Sequence, residues 1–156
     1  MIDHILCWNV RGVRPTNRFP LKPLNLKSTL SSAAIVLLQE THLDGAPALS
    51  HFFPRFNWRH STQASTRSGG VAIGWRRDLD VTPVASSRYC VIVKWRKPNS
   101  PPIYIGAIYI PPSLHSSVLP TITEVLACIP PTALAIVGGD LNTDLRHPTT
   151  SEPSAD

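Results

Sequence analysis

The sequence predicts an α/β fold, a four-layer sandwich in which two packed mixed β-sheets are flanked by helices. Of its 156 residues, 42% are hydrophobic and 16% are charged, which is sufficient for one domain with a buried core. Short apolar runs are separated by turn-rich segments, and several runs are apolar on both strand faces, as in sheets covered by helices. The 16 prolines and eight glycines argue against a bundle of long helices.

Six apolar runs predict the main strands, at residues 3–10, 33–39, 71–75, 89–95, 103–110 and 133–137. The second run, AAIVLLQ, is continuously apolar, which is typical of a strand covered on both faces. A turn containing Pro and Asn joins the fourth and fifth runs and predicts an antiparallel hairpin. The last run is expected to be a buried strand.

Two segments have helical spacing of apolar residues. Leucines predict a helix within residues 21–32, beginning near Pro23. A second helix is predicted within residues 113–129, where Pro120 is expected in the first helical turn and a Pro-Pro pair ends the helix.

Positive charge is concentrated in the first two thirds of the chain. Residues 1–97 hold 14 Lys and Arg against five Asp and Glu, whereas residues 98–156 hold one Arg against five acids. A basic surface suits a polyanion such as nucleic acid, because Lys and Arg contacts to phosphates release counterions. A merely solvated basic face is the alternative.

The sequence favours an intracellular protein. No run of 18 apolar residues is present, so no membrane span is expected, and the N terminus lacks a signal-peptide pattern. Cys7, Cys90 and Cys128 are odd in number and far apart, which favours buried thiols in a reducing compartment over a disulfide framework or a zinc site. We therefore expect a nuclear or cytoplasmic protein without disulfide partners, and the sequence leaves its oligomeric state open.

Hydrogen-bonding or ionisable side chains mark the ends of four apolar runs. These residues are Asn9, Glu40, Tyr109, Asp140 and, two positions further, Asn142. In layered α/β folds a rigid scaffold presents such strand ends to a crevice, where sites are built. Taken singly, each residue has an ordinary explanation as a turn residue, loop carboxylate or rim tyrosine. All of them together predict one site.

Four motifs that contain these residues resemble the endonuclease/exonuclease/phosphatase superfamily, which includes DNase I and abasic-site endonucleases. They are WNVRG at 8–12, LQETH at 38–42, YIPP at 109–112 and GDLN at 139–142. Their form, with SGGVAI at 68–73, is most similar to the endonuclease domains of non-LTR (LINE-type) retrotransposons.

The resemblance implies metal-dependent hydrolysis of phosphodiester bonds in DNA. It implies that Glu40 holds Mg²⁺ or Mn²⁺ and that Asn9 orients this carboxylate or the scissile phosphate. It further implies that Asp140 positions or activates the attacking water. Asn142 and Tyr109 would hydrogen-bond the phosphate, Tyr109 as a hydroxyl or as a phenolate.

Basic residues near these motifs are expected to contact the DNA backbone, namely Arg11, Arg14, Arg67 and Arg76. Two other functions stay open. One is a non-catalytic nucleic-acid-binding remnant, and the other is a phosphatase acting on a small phosphoester or a phosphoinositide.

The sequence departs from the superfamily in two ways. Arg11 stands where abasic-site enzymes carry an Asp metal ligand, and the C-terminal Ser-Asp-His motif does not occur. We therefore expect a partial domain at 1–146, incomplete at its C terminus, and a disordered tail at 147–156. Turnover should be weak or absent, because an acid–base group contributes roughly 10²–10⁴-fold. The histidines expected instead to be loop or surface groups are His42, His51, His60, His115 and His147.

Overall fold

The computed structural model describes residues 4–61, 69–112 and 115–142; the expected tail at 147–156 lies outside them. These ranges contain eight strands and three helices. In chain order they are β1 (Ile5–Asn9), α1 (Lys22–Leu30), β2 (Ile35–Gln39), α2 (Ala46–Phe52), β3 (Phe56–His60), β4 (Val71–Arg76), β5 (Asp80–Ser86), β6 (Cys90–Arg96), β7 (Ile103–Tyr109), α3 (His115–Leu126) and β8 (Leu134–Asp140).

The strands form two four-stranded mixed sheets. The first has the order β1-β2-β4-β3 and the second has the order β5-β6-β7-β8. Each sheet has one parallel pair, β1 with β2 and β7 with β8, and its other pairs are antiparallel. The predicted hairpin of β6 and β7 is confirmed. In both sheets the parallel pair lies at an edge.

The sheets pack face to face, and helices cover their outer faces. Ile73 of the first sheet and Val93 and Ile105 of the second belong to one buried apolar cluster between the sheets. Leu26 of α1 packs in a second cluster with the outer face of the first sheet, and α2 joins it there. Val118 of α3 packs in a third cluster on the second sheet. The predicted four-layer α/β sandwich is confirmed.

Three elements are not predicted by the apolar runs. In β3 buried and exposed residues alternate, so its sequence FNWRH is not a continuous apolar run. The edge strand β5 contains Pro83, and its register shifts between Pro83 and Ala85, which an edge strand tolerates. The helix α2 has only seven residues, too few for a helical period to stand out.

The prediction that Pro120 lies in the first helical turn is wrong. Pro120 lies inside α3 and has no N–H to donate to the carbonyl of Ser116. Buried Val118 and Ile122 pack on the second sheet, and such packing supplies most of the stability of helices in proteins. At 12 residues, α3 is the longest helix in the described ranges, and none there is long and apolar enough to cross a membrane.

The prediction that the last strand is buried is also wrong. Leu134, Ile136 and Val137 of β8 are 58%, 42% and 45% exposed. Among the described strands, β8 is the open edge of the second sheet, and α3 packs against β6. Within the described part of the chain, β8 therefore presents apolar side chains to solvent.

Candidate active site

The two parallel pairs bring polar side chains to one end of the sandwich. Asn9 ends β1 and is the register partner of Gln39, the residue before Glu40. Tyr109 and Asp140 are register partners that end β7 and β8. Because β1 packs against β8 across the two sheets, the carboxyl ends of both pairs meet there.

The carboxamide of Asn9 lies at the centre of this group. Its Nδ2 donates one hydrogen bond of 2.8 Å to Oε1 of Glu40 and one of 2.6 Å to Oδ2 of Asp140. Its Oδ1 accepts a 3.1 Å hydrogen bond from the backbone N–H of Arg11. The Nδ2 end of the amide therefore faces the carboxylates. One neutral amide therefore holds two carboxylates in a fixed arrangement.

Tyr109 lies against the same two carboxylates. Burial, then the charge of Glu40, a hydrogen bond to Glu40 and the charge of Asp140, raise the pKa of Tyr109 to about 12. The phenol is protonated at neutral pH, so it donates its hydrogen to the Glu40 carboxylate. Of the two forms that the resemblance implies, this surrounding favours the hydroxyl over the phenolate.

Asn142 reaches the group through the turn that follows β8. Its backbone N–H donates a 3.1 Å hydrogen bond to Oδ1 of Asp140, and its Nδ2 donates a 2.8 Å hydrogen bond to the carbonyl oxygen of Ile110. The residue thus ties the turn after β8 to the end of β7 and fixes the second oxygen of the Asp140 carboxylate. The structure brings together all five predicted catalytic and metal-binding residues.

The backbone around these residues is strained. Arg11, Glu40, His42 and Asn142 have positive φ angles of 47°, 52°, 53° and 46°, a region that residues other than glycine seldom adopt. Among the other described non-glycine residues, only Asn99 has a positive φ angle, and it lies in a turn away from the site. Strain of this kind is concentrated at functional sites, where the surrounding structure enforces it.

Two glycines allow the chain segments to approach each other at this end. Gly70 has a φ of +90°, and a Cβ there would collide with Oγ1 of Thr41. Gly139, just before Asp140, would place a Cβ against the carbonyl oxygen of Ile108. The glycine pairs before β4 and before Asp140 thus serve close packing of the strand ends.

His42 lies in the loop after β2, as expected from the sequence, and it also belongs to the site. Its Nε2 lies 3.7 Å from Oε2 of Glu40, the carboxylate oxygen that Asn9 does not contact. The positive φ angles at Glu40 and His42 turn this side chain back toward the carboxylate. Spacing along the sequence carries no signal for such a turn.

His60, in contrast, is neither a loop nor a surface group, because it ends β3 and is buried below the site. A carbonyl can only accept, so Nδ1 donates the 2.9 Å hydrogen bond to the carbonyl oxygen of Ser61. Nε2 of the neutral ring therefore accepts the 2.9 Å hydrogen bond from the hydroxyl of Thr41, the residue after Glu40. Burial lowers the pKa of His60, although Ser61 and the charge of Asp44 act in the opposite direction.

The arginines predicted to contact nucleic acid are not all at the site. Arg11 and Arg14 lie in the loop after β1, at the site end, and both are exposed. Arg76 ends β4, whose first residue Val71 lies at the site end, so Arg76 lies at the opposite end and binds Asp78 at 3.0 Å. Arg67 lies outside the described residues.

The residues at this end suit a hard divalent cation. Mg²⁺ prefers oxygen ligands, is commonly bound by one or two carboxylates and keeps several waters. Glu40 and Asp140 offer two carboxylates that one amide holds close together, an arrangement that a cation would favour. The described residues contain no group of three or more His, Cys, Asp and Glu side chains placed to hold a metal, so water and substrate oxygens would complete the shell.

Several solved structures with this fold have names that denote action on nucleic acids. The endonuclease domain of TRAS1, a telomere-specific non-LTR retrotransposon, has a TM-score of 0.68 and 23% identity over 91% of this chain. A humanized D. rerio TDP2 has a TM-score of 0.66 and 18% identity over 91% of this chain. The AP endonuclease LMAP from Leishmania major has a TM-score of 0.58 and 15% identity over 87%. At these identities the likeness shows the fold.

The chain is shorter than these neighbours. It spans 61% of the TRAS1 domain, 67% of the D. rerio TDP2 chain and 54% of LMAP. No curated protein matches the sequence. The model of the Endonuclease/Exonuclease/phosphatase family, in contrast, matches residues 6–156, nearly the whole sequence. The chain therefore belongs to the endonuclease/exonuclease/phosphatase family, whose name denotes hydrolysis of phosphoester bonds.

Proposed function

We propose that this chain hydrolyses phosphodiester bonds of DNA with Mg²⁺ or Mn²⁺ held at Glu40. The observation that carries the proposal is the pair of short hydrogen bonds from Asn9 to Glu40 and Asp140. Two carboxylates joined at a strained, partly exposed rim match the needs of a hard cation and a polyanionic substrate better than those of a structural core. When bound, the cation stabilises the charge that develops on the phosphate oxygens.

The chain's own residues position the reactants. Asn9 fixes the orientation of the Glu40 carboxylate, and Asp140 accepts a hydrogen bond from the attacking water and so positions it. When substrate binds, the protonated Tyr109 hydroxyl moves its single hydrogen bond from Glu40 to a phosphate oxygen. Asn142 uses one amide hydrogen on the Ile110 carbonyl, and its other amide hydrogen is available to the phosphate. Donors aimed at developing charge supply much of the rate enhancement in such sites.

DNA contacts in this proposal come from the loop after β1. Arg11 and Arg14 lie at the site end and are exposed, so they can pair with phosphates on either side of the scissile bond. The motif NVRG has Arg11 where abasic-site enzymes carry an Asp, which supports an origin among LINE-type endonuclease domains rather than among abasic-site enzymes.

A second candidate function is nucleic-acid binding without turnover. It is favoured by the content of the site, since His42 is the only histidine among the described residues that contacts its carboxylates. Without a further acid–base pair, the rate of hydrolysis would be roughly 10²–10⁴-fold lower than at a site that has one. The two candidates differ in their dependence on metal, not in their affinity for DNA.

Nicking of supercoiled plasmid by excess protein tests the proposal. Nicking should require Mg²⁺ or Mn²⁺, stop with EDTA and be lost in Glu40→Gln and Asp140→Asn. Asp78→Asn is a matched control, because this exposed carboxylate pairs with Arg76 at the other end of β4. If the protein binds DNA but never nicks it with either metal, the second candidate replaces the first. Nicking that survives Glu40→Gln would contradict the assigned site.

A further inference from the structure

We infer that a groove beside the candidate active site binds an unpaired DNA strand, with bases stacked on its aromatic residues and phosphates on its cations. The groove has a volume of about 1070 Å³ and runs between the end of β1, the loop after it and the start of α1. Asn9 and Asp140 line one end of it, so a strand in the groove leads into the site. The inference rests on the proposed function and names the form of DNA that the site receives.

Three cations line the groove, Arg11, Arg18 and Lys22. Lys22 donates a 2.8 Å hydrogen bond from Nζ to the carbonyl oxygen of Arg11, which holds two like charges near each other. The pKa of Lys22 is lowered by its partial burial and by the charge of Arg11. None of the three forms an ion pair with a carboxylate in the described ranges. An anion in the groove would relieve this repulsion, and a row of phosphates supplies several.

Two aromatic side chains are exposed in the same groove. Phe19 is 53% exposed and Trp8 is 38% exposed. The guanidinium carbon of Arg18 lies 5.4 Å from the centroid of the Phe19 ring, so a cation and an aromatic face form one platform. Large aromatic rings are normally kept from water, and their exposure together indicates a ligand with flat apolar faces.

The combination distinguishes an unpaired strand from a duplex. Cations alone would serve a duplex, whose phosphates lie outside while its bases remain stacked inside. Rings that line a groove with cations match single-stranded binding sites, in which bases stack on aromatic residues and the backbone follows the positive charge. Strand specificity therefore resides in Phe19 and Trp8, whereas Arg11, Arg18 and Lys22 supply affinity that depends on salt.

Fluorescence anisotropy in EDTA tests the inference without any turnover. The probes are a labelled 12-nucleotide single strand of mixed sequence and the 12-base-pair duplex of the same sequence. The single strand should bind several-fold more tightly than the duplex. Phe19→Ala should weaken single-strand binding by roughly five-fold or more and leave duplex binding unchanged, and Phe19→Trp should retain it. Arg18→Gln should weaken both and reduce the slope of log affinity against log salt by about one.

Lys97→Gln is the matched control, because Lys97 is also a cation on an aromatic ring, 4.2 Å from the Trp95 centroid, but lies at the opposite end of the second sheet. It should change neither affinity. Equal binding of both probes, or a Phe19→Ala variant that binds the single strand as wild type does, would overturn the inference. The inference would also be overturned if the wild-type protein dimerised and Phe19→Ala did not, because a second copy of the chain would then occupy the groove. A protein that prefers the single strand but, with Mg²⁺ or Mn²⁺, cleaves neither that labelled strand nor supercoiled plasmid would contradict only the proposed hydrolysis.

Discussion

Asn9 and Asp140 are joined by a hydrogen bond of 2.6 Å, although 131 positions separate them in the sequence. Asn9 belongs to the first sheet and Asp140 to the second, so the bond closes the sandwich at the end where the candidate site lies. The same amide also holds Glu40. A single side chain therefore connects the stability of the fold with the geometry of the site.

Replacing Asn9 by Asp should destabilise the protein when no metal is present. The change removes both donors and adds a third negative charge between Glu40 and Asp140. We expect the free energy of unfolding to fall by about 2 kcal/mol or more, because hydrogen bonds to charged groups are worth about 1.5–3 kcal/mol each. Mn²⁺ should recover part of the loss. Urea unfolding with and without Mn²⁺ measures this, with exposed Asn57→Asp as the control; equal losses in the two variants would count against the account.

Stability should depend on pH through His60. Burial lowers the pKa of the folded ring below its ordinary value of 6.5, so below pH 6.5 the unfolded chain binds a proton that the folded protein does not. The free energy of unfolding should therefore fall as the pH drops below about 6.5, until the folded ring also becomes protonated. Above that range this contribution is constant.

The groups that face His60 are Thr41, Ser61 and the more distant charge of Asp44. His60→Gln should flatten the pH dependence of stability between pH 5 and pH 7, whatever its effect on stability at neutral pH. His51→Gln, on the exposed face of α2, should keep the wild-type slope. Urea unfolding at several pH values decides the matter, and a His60→Gln variant with the wild-type slope would show that another group is responsible.

Gly139→Ala should be among the most destabilising single-methyl additions to this chain. The added Cβ would overlap the carbonyl oxygen of Ile108, and the Ile108 carbonyl carbon and amide nitrogen lie at 2.7 and 2.9 Å. Backbone atoms cannot rotate away as a side chain can, so a cost of about 3 kcal/mol or more is expected. Gly45→Ala is the control, because the nearest atom is Cδ of Pro47 at 3.5 Å and the expected cost is below about 1 kcal/mol. Thermal melts that show equal costs would contradict the packing at the end of β8.

The exposed side chains of β8 should make the protein associate and bind hydrophobic dyes. Leu134 and Ile136 lie on a strand edge that no other described strand covers, and such an edge is a template for pairing with another chain. Leu134→Lys should reduce dye fluorescence and the apparent mass in light scattering, since charge on an edge strand opposes pairing. Leu119→Lys, at an exposed position of α3, should have little effect. A wild-type protein that is monodisperse and binds no dye would contradict this prediction.

The continuous apolar runs were sufficient to predict the sandwich, because strands buried between layers consist mostly of apolar residues. The same reasoning fails for β3, where Asn57 and Arg59 face solvent, and for β5, which contains Pro83 and shifts its register between Pro83 and Ala85. It also assigns burial to β8, because an apolar sequence does not reveal whether a neighbour covers it. The grouping of polar residues at the strand ends was predictable, since parallel pairs present their carboxyl ends together.

The part of the site that could not be predicted depends on backbone conformation and on residues far from the motifs. His42 reaches Glu40 only because both residues adopt positive φ angles, which no sequence pattern specifies. His60 supports the site from β3, an element that the apolar runs do not reveal. Arg76 is a cation, but it cannot contact a substrate at the site, because antiparallel β4 places it at the opposite end of the first sheet.

Binding of Mn²⁺, followed by electron paramagnetic resonance of the free ion, shows without any turnover whether Glu40 and its neighbours hold a metal. The wild-type chain should bind Mn²⁺ and Mg²⁺ should displace it. Asn9→Ala should weaken binding by about 10–100-fold, as expected for a residue that orients a metal ligand, and Glu40→Gln should weaken it further. Wild-type affinity in Glu40→Gln, or no Mn²⁺ binding by the wild-type chain, would contradict the assignment of these carboxylates to a metal-dependent hydrolase.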